Sequence, residues 1–182
     1  MEAWPKIRSK QTARVSPWLE IITREVEFTP GSAPEVYHAI GQFDYVSIVP
    51  LTPDGRVPIV RQYRPALEGY TWEFPAGLVD DGEDAAETCR RELKEEAGFT
   101  ARSVHLLGTG SPCTGRLSNR IHSFFAETVE HTPAIEPEAG MSVKVVSLEE
   151  LAQMIKAGEF VSQLHLGALL LATLHGFVKL PR

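Results

Sequence analysis

Residues 77–99 constrain this chain more than any other segment. They follow the pattern G-x5-E-x7-R-E-U-x-E-E-x-G-U, where U is apolar, and every constrained position is met. Glu92, Glu95 and Glu96 stand three and four positions apart, so they share one face if the segment is helical. Three carboxylates on one face repel each other, and a hard divalent cation with oxygen ligands removes that repulsion. The pattern therefore predicts a metal-binding helix.

The residues around these glutamates argue against the plainer alternative, a solvated acidic helix. Gly77 lets the backbone approach a ligand or metal closely. Glu83 and Arg91 are expected to pair and to brace the loop at 79–82 against the helix, which gives both a structural role. Gly98 stands where a helix C-terminal cap belongs. Residue types in register at all of these positions favour a functional motif.

Composition limits the other function classes. With 182 residues, 43% apolar and 23% charged, the chain fits one ordinary globular domain. Its net charge of -6 argues against bulk binding to nucleic acid or to a membrane surface. No apolar stretch of about 18 residues is present, so no membrane span is expected. An anionic substrate would have to be received by a metal and by local arginines.

The two cysteines and the N-terminus bear on the compartment. Cys89 and Cys113 have no metal-ligand spacing, and we predict two buried, reduced thiols in a cytoplasmic protein. Residues 1–16 are basic and polar without a following apolar run, so no secretory signal is expected. We expect a loose tail there.

The periodicity of the remaining sequence predicts strands in two groups with helices between them. Helices are expected at 84–97, between Ser147 and Gly158, and at 162–175. Turn residues at 53–55 predict a hairpin between two apolar runs. This arrangement is typical of a mixed sheet enclosed by helices. The predicted strands are 18–28, 35–40, 45–51, 56–63, 71–74, 104–108, 121–128 and 143–146.

Residues 77–99 carry the signature of the Nudix hydrolases, the Nudix box, and the helix predicted at 84–97 is the box helix. Flanking motifs resemble one branch of that family. RQYRP at 61–65, WEFPAG at 72–77, LSN at 117–119 and Pro112 are similar to motifs of the ADP-ribose and ADP-sugar pyrophosphatases. The resemblance implies an α/β fold, the Nudix α/β/α sandwich with mixed β-sheets, over residues 41–182. It also implies a homodimer in which an N-terminal β-hairpin region, residues 1–40, helps complete the partner's site.

The resemblance also implies a metal site. By motif position, the Ala76 carbonyl and the carboxylates of Glu92, Glu95 and Glu96 would bind Mg²⁺, with Mn²⁺ as a possible substitute. The cation would neutralise the substrate's diphosphate and help ionise an attacking water.

Four further residues match positions that bind substrate in this branch. Arg64 resembles an arginine that grips phosphate, with a surface ion pair as the alternative. Glu73 would contact the sugar side or the dimer interface, unless its contact is structural. Trp18 and Tyr37 would stack on the base across the dimer, although core or interface packing explains them equally well.

The catalytic base of this branch comes from a late glutamate-bearing loop. Here that loop is residues 134–140, where Glu138 is the first candidate and Glu136 the second. Glu95 on the box helix is a third candidate. The alternative is a solvated acidic loop.

These features predict an enzyme that hydrolyses a nucleoside diphosphate sugar, ADP-ribose foremost, to a nucleoside monophosphate and a sugar phosphate. Two alternatives stay open. The enzyme could prefer GDP-mannose, UDP-glucose or a nucleoside triphosphate, or the chain could be a non-catalytic nucleotide sensor with the same fold. The intact glutamate set favours an enzyme over a sensor.

Overall fold

The structure is a computed structural model, and it describes residues 4–132 and 139–181. The described residues form two compact units. The N-terminal unit contains the residues up to 44 together with 111–120, and the central unit contains 45–110 and the residues from 121 onward.

The N-terminal unit is built on a three-stranded antiparallel sheet of β1 (Lys6–Ser16), β2 (Leu19–Glu27) and β3 (Glu35–Gly41). The expectation of a loose tail is wrong for β1, because its polar side chains find partners on β2. Arg8 forms an ion pair with Glu27, and the Ser9 hydroxyl donates to Glu25 over 2.8 Å. Charge pairing across strands therefore orders a segment that has little apolar surface to bury.

The segment at 111–120 belongs to the N-terminal unit because its backbone bonds to the end of β3 and the residues after it. The Ile40 N–H donates to the Arg116 carbonyl over 2.8 Å, and the Ser118 N–H donates to the Ile40 carbonyl over 3.0 Å. Asn119 is buried and donates to the Phe43 carbonyl over 2.9 Å.

The central unit contains two sheets. Their strands are β4 (Tyr45–Leu51), β5 (Val57–Arg64), β6 (Gly69–Glu73), β7 (Ala76–Leu78), β8 (Phe99–Gly110), β9 (Ile121–His131) and β10 (Ser142–Val146). The first sheet has the order β7-β4-β9-β8, and only its β4–β9 pair is parallel. The second sheet is antiparallel with the order β10-β5-β6.

The predicted hairpin between β4 and β5 is wrong, although its turn is present. The Gly55 N–H donates to the Thr52 carbonyl over 2.9 Å, and Gly55 takes the positive φ of 78° that glycine tolerates. The two strands then enter different sheets. β7 and β9 occupy both edges of β4, and β10 and β6 occupy both edges of β5, so neither strand has an edge left for the other.

Three helices complete the central unit: α1 (Ala85–Ala97), α2 (Leu148–Ala157) and α3 (Gln163–Leu174). The Asp84 side chain caps α1 by accepting from the Ala86 N–H, and Ser147 caps α2 by accepting from the Glu150 N–H. Gly98 and Gly158 end these helices in the left-handed conformation, as their positions in the sequence predict.

The helices cover opposite faces of the first sheet. α1 packs with Val46 and Ile48 of β4, while α3 packs on the other side with Val49. Alternation along β4 therefore assigns its side chains to two separate apolar cores. This confirms the α/β/α sandwich. Within the described residues, no helix has the length and apolar character needed to span a membrane.

Candidate functional site

A tight loop returns the chain from β7 to the start of α1. The Glu83 N–H donates to the Asp80 carbonyl over 2.9 Å, and Gly82 adopts a φ of 81° within the turn. Asp84 then caps the helix. The loop thus sets the α1 carboxylates beside the backbone of β7.

Of the three α1 glutamates predicted as metal ligands, Glu92 and Glu96 lie directly against that backbone. A Cβ at Gly77 would collide with the carboxylate of Glu92, so only glycine leaves room for this side chain. The Glu96 carboxylate accepts a hydrogen bond of 2.9 Å from the Ala76 N–H. Both glutamates are buried, with 9% and 5% of their surface exposed. The close approach expected at Gly77 is therefore made by a box carboxylate.

Arg91 joins the loop to the helix. Its guanidinium donates to Glu83 twice, over 3.1 and 3.0 Å, to Glu92 over 2.7 Å and to Glu95 over 3.1 Å. A fifth bond of 3.2 Å reaches the Leu78 carbonyl. The expected pair of Glu83 and Arg91 is present. It belongs to a larger group, the Arg91 hub, in which one guanidinium binds Glu83, Glu92 and Glu95.

The hub shifts the acidity of its members. Hydrogen bonds from Arg91, and then from Thr88, lower the pKa of Glu83 to about 2. The same carboxylates raise the pKa of Arg91 above its usual value, with Glu83 the largest cause. Both groups therefore stay charged across the physiological range, and the loop stays tied to the helix.

The donor set around β7 suits a hard divalent cation, because carboxylate oxygens and a backbone carbonyl are the ligands that Mg²⁺ prefers. Glu92 and Glu96 meet the backbone at Ala76 and Gly77, whereas the Glu95 side chain is 55% exposed and bound to Arg91. No group of three or more acidic, histidine or cysteine side chains in the described part of the chain is arranged to hold a metal.

A second arginine–glutamate pair, Arg64 with Glu73, lies on β5 and β6. Arg64 binds Glu73 through two nitrogens, and the Thr71 hydroxyl donates to the same carboxylate over 2.5 Å. The buried ring of His165 lies 3.2 Å from Glu73 through Nε2 and 2.8 Å from the Ser47 hydroxyl through Nδ1. Burial of Glu73 raises its pKa, but hydrogen bonds from Arg64, His165 and Thr71 outweigh burial and hold it well below the usual value.

One cavity of about 650 Å³ is lined both by the backbone that meets the box carboxylates and by the residues around Glu73. Ala76 and Gly77 of the box line it, as do Arg64, Glu73 and His165. The rest of its wall is largely apolar and includes Tyr45, Ala66, Leu67, Leu78, Val161 and Leu164. The cavity therefore places the guanidinium of Arg64, paired with Glu73, beside the backbone of Ala76 and Gly77, within a wall that is otherwise largely apolar.

Trp18 and Tyr37 belong to the N-terminal unit and border different cavities there. Trp18 is 62% exposed beside a cavity of about 260 Å³, and Tyr37 is 46% exposed beside one of about 370 Å³. Packing in the core of a single chain is therefore excluded for both, while stacking on a base and packing at an interface stay open.

The loop glutamates predicted as the catalytic base, Glu136 and Glu138, lie outside the described residues. The two cysteines, both expected to be buried, are described. Cys89 is buried as expected, and burial raises its thiol pKa to about 12, but the expectation for Cys113 is wrong because it is exposed. Cys113 stands in the polar segment 111–120, where no apolar neighbours in sequence would bury it.

The sequence analysis missed the link between Ser47 and Glu73 through His165. A signal for it existed: Ser47 interrupts the apolar run YVSIVPL of β4, and His165 interrupts the apolar sequence of α3. Polar residues in buried runs need hydrogen-bond partners. Which partners they find is set by the fold, since 118 positions separate the two.

Comparison with known proteins identifies the family. The model of the NUDIX domain matches residues 42–164. The chain belongs to the Nudix family. The matched region contains the box, its loop and every strand and helix of the central unit except α3, most of which follows residue 164. Nudix hydrolases act with divalent metal ions, in agreement with the donor set at β7.

Individual relatives narrow the comparison. An ADP-ribose pyrophosphatase of Mycobacterium tuberculosis is 30% identical over 145 residues, which are 78% of this chain and 70% of that protein. A CMP-5'-(N-acetyl-N-hydroxy-3-aminopropyl)phosphonate hydrolase of Streptomyces rubellomurinus is 28% identical over 156 residues, 85% of this chain and 75% of the relative. The crystal structure of an ADP compounds hydrolase aligns with a TM-score of 0.78 and 27% identity, covering 96% of this chain and 97% of the other.

Proposed function

We propose that this Nudix hydrolase cleaves the diphosphate of an ADP-linked compound, with ADP-ribose as the first candidate, and releases AMP and a sugar phosphate. The cavity shared by the box backbone and Arg64 carries the proposal. Similarity to an ADP-ribose pyrophosphatase and to an ADP compounds hydrolase supports the choice of ADP.

The chemistry proposed for the site divides between the cation and the protein. Glu92, Glu95, Glu96 and the Ala76 carbonyl would hold Mg²⁺, which would supply charge neutralisation and a more acidic water. Arg64 adds a fixed positive charge on the cavity wall that receives phosphate oxygens. The apolar wall keeps water away from the phosphate and strengthens both interactions.

The proton of the attacking water needs an acceptor, and we keep Glu138 as the proposed base. Glu138→Gln is expected to lower kcat by about 10²–10⁴-fold, the usual range for loss of a general base, with little change in KM. Glu136→Gln is the matched control and should have a much smaller effect. If the two effects are reversed, the base is Glu136.

We further propose that the chain acts as a homodimer through its N-terminal unit. Several large apolar side chains of that unit are exposed, which is typical of a contact surface: Ile7, Val15, Trp18, Phe28, Val36 and Tyr37. Deletion of residues 1–40 should abolish dimerisation and activity. Trp18→Arg in the full chain is the gentler test, since it leaves β1 to β3 paired while disrupting an apolar contact.

A substrate panel tests the proposed activity. ADP-ribose, other ADP-linked sugars, GDP-mannose, UDP-glucose, a CMP-linked compound and a nucleoside triphosphate are incubated with Mg²⁺, with Mn²⁺ or with a chelator. Added phosphatase converts monoester products to inorganic phosphate, which is measured. ADP-linked compounds should give the highest kcat/KM, and the chelator should abolish turnover.

Two other outcomes would redirect the assignment. A clear preference for a CMP-linked compound would move the chain towards the Streptomyces relative. Absence of turnover on every compound, together with nucleotide binding, would favour the sensor alternative.

A further inference from the structure

A chain of four hydrogen-bonded side chains runs from the interior of the central unit to the cavity. The Ser47 hydroxyl lies 2.8 Å from His165 Nδ1, and His165 Nε2 lies 3.2 Å from Glu73. Glu73 binds Nε and Nη2 of Arg64. These residues come from β4, α3, β6 and β5, so the chain connects both sheets to a helix.

The acceptor-only chemistry of a carboxylate determines the direction of these bonds. Glu73 is ionised, so His165 must carry a proton on Nε2 and donate it. In the neutral ring, Nδ1 is then an acceptor, and the Ser47 hydroxyl donates to it. The Glu73 carboxylate thus receives bonds from His165, Thr71 and Arg64, and these bonds define its position.

A histidine at position 165 forms hydrogen bonds with Ser47 and Glu73 that an apolar residue could not form. His165 is 4% exposed and Ser47 is fully buried, and the imidazole packs against Phe74 and Phe160, whose rings also contact each other. A phenylalanine would fill such a space without the cost of burying polar atoms. The ring therefore provides hydrogen bonds in addition to packing. It also lies one position beyond the region 42–164 that the family model matches.

The series of hydrogen-bonded side chains ends at Arg64, which lines the cavity. Glu73 holds two of the three guanidinium nitrogens of Arg64, and Nη1 makes no hydrogen bond to any described residue. A guanidinium held along one edge presents its other donors in a fixed direction. Arg64 lines the cavity beside Ala76 and Gly77, so the position of Glu73 controls where a cationic edge faces the substrate.

We propose that His165, supported by Ser47, is a positioning residue that acts through Glu73 to aim Arg64 at the substrate's diphosphate. This rests on the proposed function, in which the cavity receives a diphosphate. Ser47 and His165 with Glu73 contain the residue types of a hydrolytic triad, but the hydroxyl is buried on β4 and reaches no substrate. Ser47 and His165 therefore act only by fixing the position of Glu73, and the contact with the diphosphate is made by Arg64.

Three single variants test the proposal, and kinetics are measured below each variant's own unfolding temperature. His165→Phe keeps an aromatic ring against Phe74 and Phe160 but removes the donor to Glu73, so KM for ADP-ribose should rise about tenfold while kcat changes less. His165→Gln retains an amide donor and acceptor and should restore KM to within about threefold of wild type. Ser47→Ala removes only the bond to Nδ1 and should give an intermediate KM.

A double-mutant cycle separates positioning from general structural support. In an Arg64→Ala background, His165→Phe should change kcat/KM by less than about twofold, because no guanidinium is left to aim. An equal loss from His165→Phe with and without Arg64 would overturn the proposal. So would a KM unchanged by His165→Phe.

A binding experiment separates this proposal from the proposed function. Methylene diphosphonate with Mg²⁺ is titrated calorimetrically into the same four proteins of the cycle, because its P–C–P bridge needs no turnover. Weaker binding by His165→Phe only when Arg64 is present would support the positioning role even if no nucleotide sugar were hydrolysed. Turnover of ADP-ribose combined with additive effects, or no binding by the wild type, would refute the positioning role.

Discussion

Arg91 and Arg64 are both bound by glutamates, but the two groups are assembled in opposite ways. Arg91 meets Glu83, Glu92 and Glu95 within one loop and one helix, at the protein surface. Arg64 meets a buried Glu73 that is held in turn by His165, from the far end of the chain. The first group is local and partly solvated. The second depends on the finished fold, and its Glu73 and His165 are buried although Arg64 is partly exposed.

The difference in burial indicates whether each group contributes mainly to stability or to the geometry of the site. Solvent screens the Arg91 hub, so its ion pairs add little stability and mainly order the loop that presents the box carboxylates. Burial of Glu73 makes its partners indispensable, because an unpaired charge in the interior is costly. Breaking the local group should therefore affect chemistry first, and breaking the buried group should affect stability first.

The largest expected effect is on turnover. Glu96→Gln should lower kcat by about 10²-fold or more, because a charged ligand to the cation is lost where transition-state charge develops. The glutamine oxygen can still accept from the Ala76 N–H, so the fold should be kept. Steady-state kinetics in saturating Mg²⁺ measure the effect, with the more exposed Glu95→Gln as the comparison. Wild-type turnover for Glu96→Gln would remove this residue from the metal site.

The next effect is on stability. Glu73→Gln should lower the free energy of unfolding by about 2–4 kcal/mol, since it breaks a buried pair, with some relief because Arg64 is partly exposed. Urea denaturation measures the change, and the exposed Glu159→Gln serves as the control. A loss below about 1 kcal/mol would show that the buried group is no more important to stability than the local one.

A smaller, pH-dependent effect is expected at the local hub. Glu83→Gln should cost about 0.5–1 kcal/mol at pH 7. The folded-state pKa of Glu83, about 2, lies below its ordinary value of 4.5, so its contribution is complete above pH 4.5 and is lost as the pH falls towards 2. Wild type and variant, compared by urea denaturation from pH 7 to pH 3, should converge in stability. A difference that grows on acidification contradicts this assignment.

The smallest expected effect is on thiol reactivity, where Glu83→Gln should match the wild type. The buried thiol of Cys89, on α1, has a pKa raised to about 12, so native protein should consume one equivalent of a thiol reagent at pH 8, through Cys113. Glu83→Gln should leave this stoichiometry unchanged if the hub orders only the loop. Rapid labelling of two thiols in that variant would show that the hub also holds the helix in place.

The same contrast explains what the sequence could predict. The box helix, its C-terminal cap at Gly98 and the Glu83–Arg91 pair follow from residue types at short spacing, and all are present in the structure. The order of β1 was missed because its partners lie on another strand, and the hairpin at 53–55 failed because edge occupancy is a property of whole sheets. His165 could be recognised as a buried polar residue, but its role depends on a contact between distant segments.

The parallel pairing of β4 with β9 has a consequence for folding kinetics. Tyr45 pairs with Ile121, so the two strands meet only after the chain between them has been brought into a closed loop. Such non-local pairing slows folding, since the entropy of loop closure is lost before any contact compensates for it. Ser47 lies on β4 and His165 follows β9 in the sequence, so the hydrogen bonds that end at Arg64 also join distant segments. A nascent chain released before β9 is synthesised would already contain every residue of the box and still lack the site.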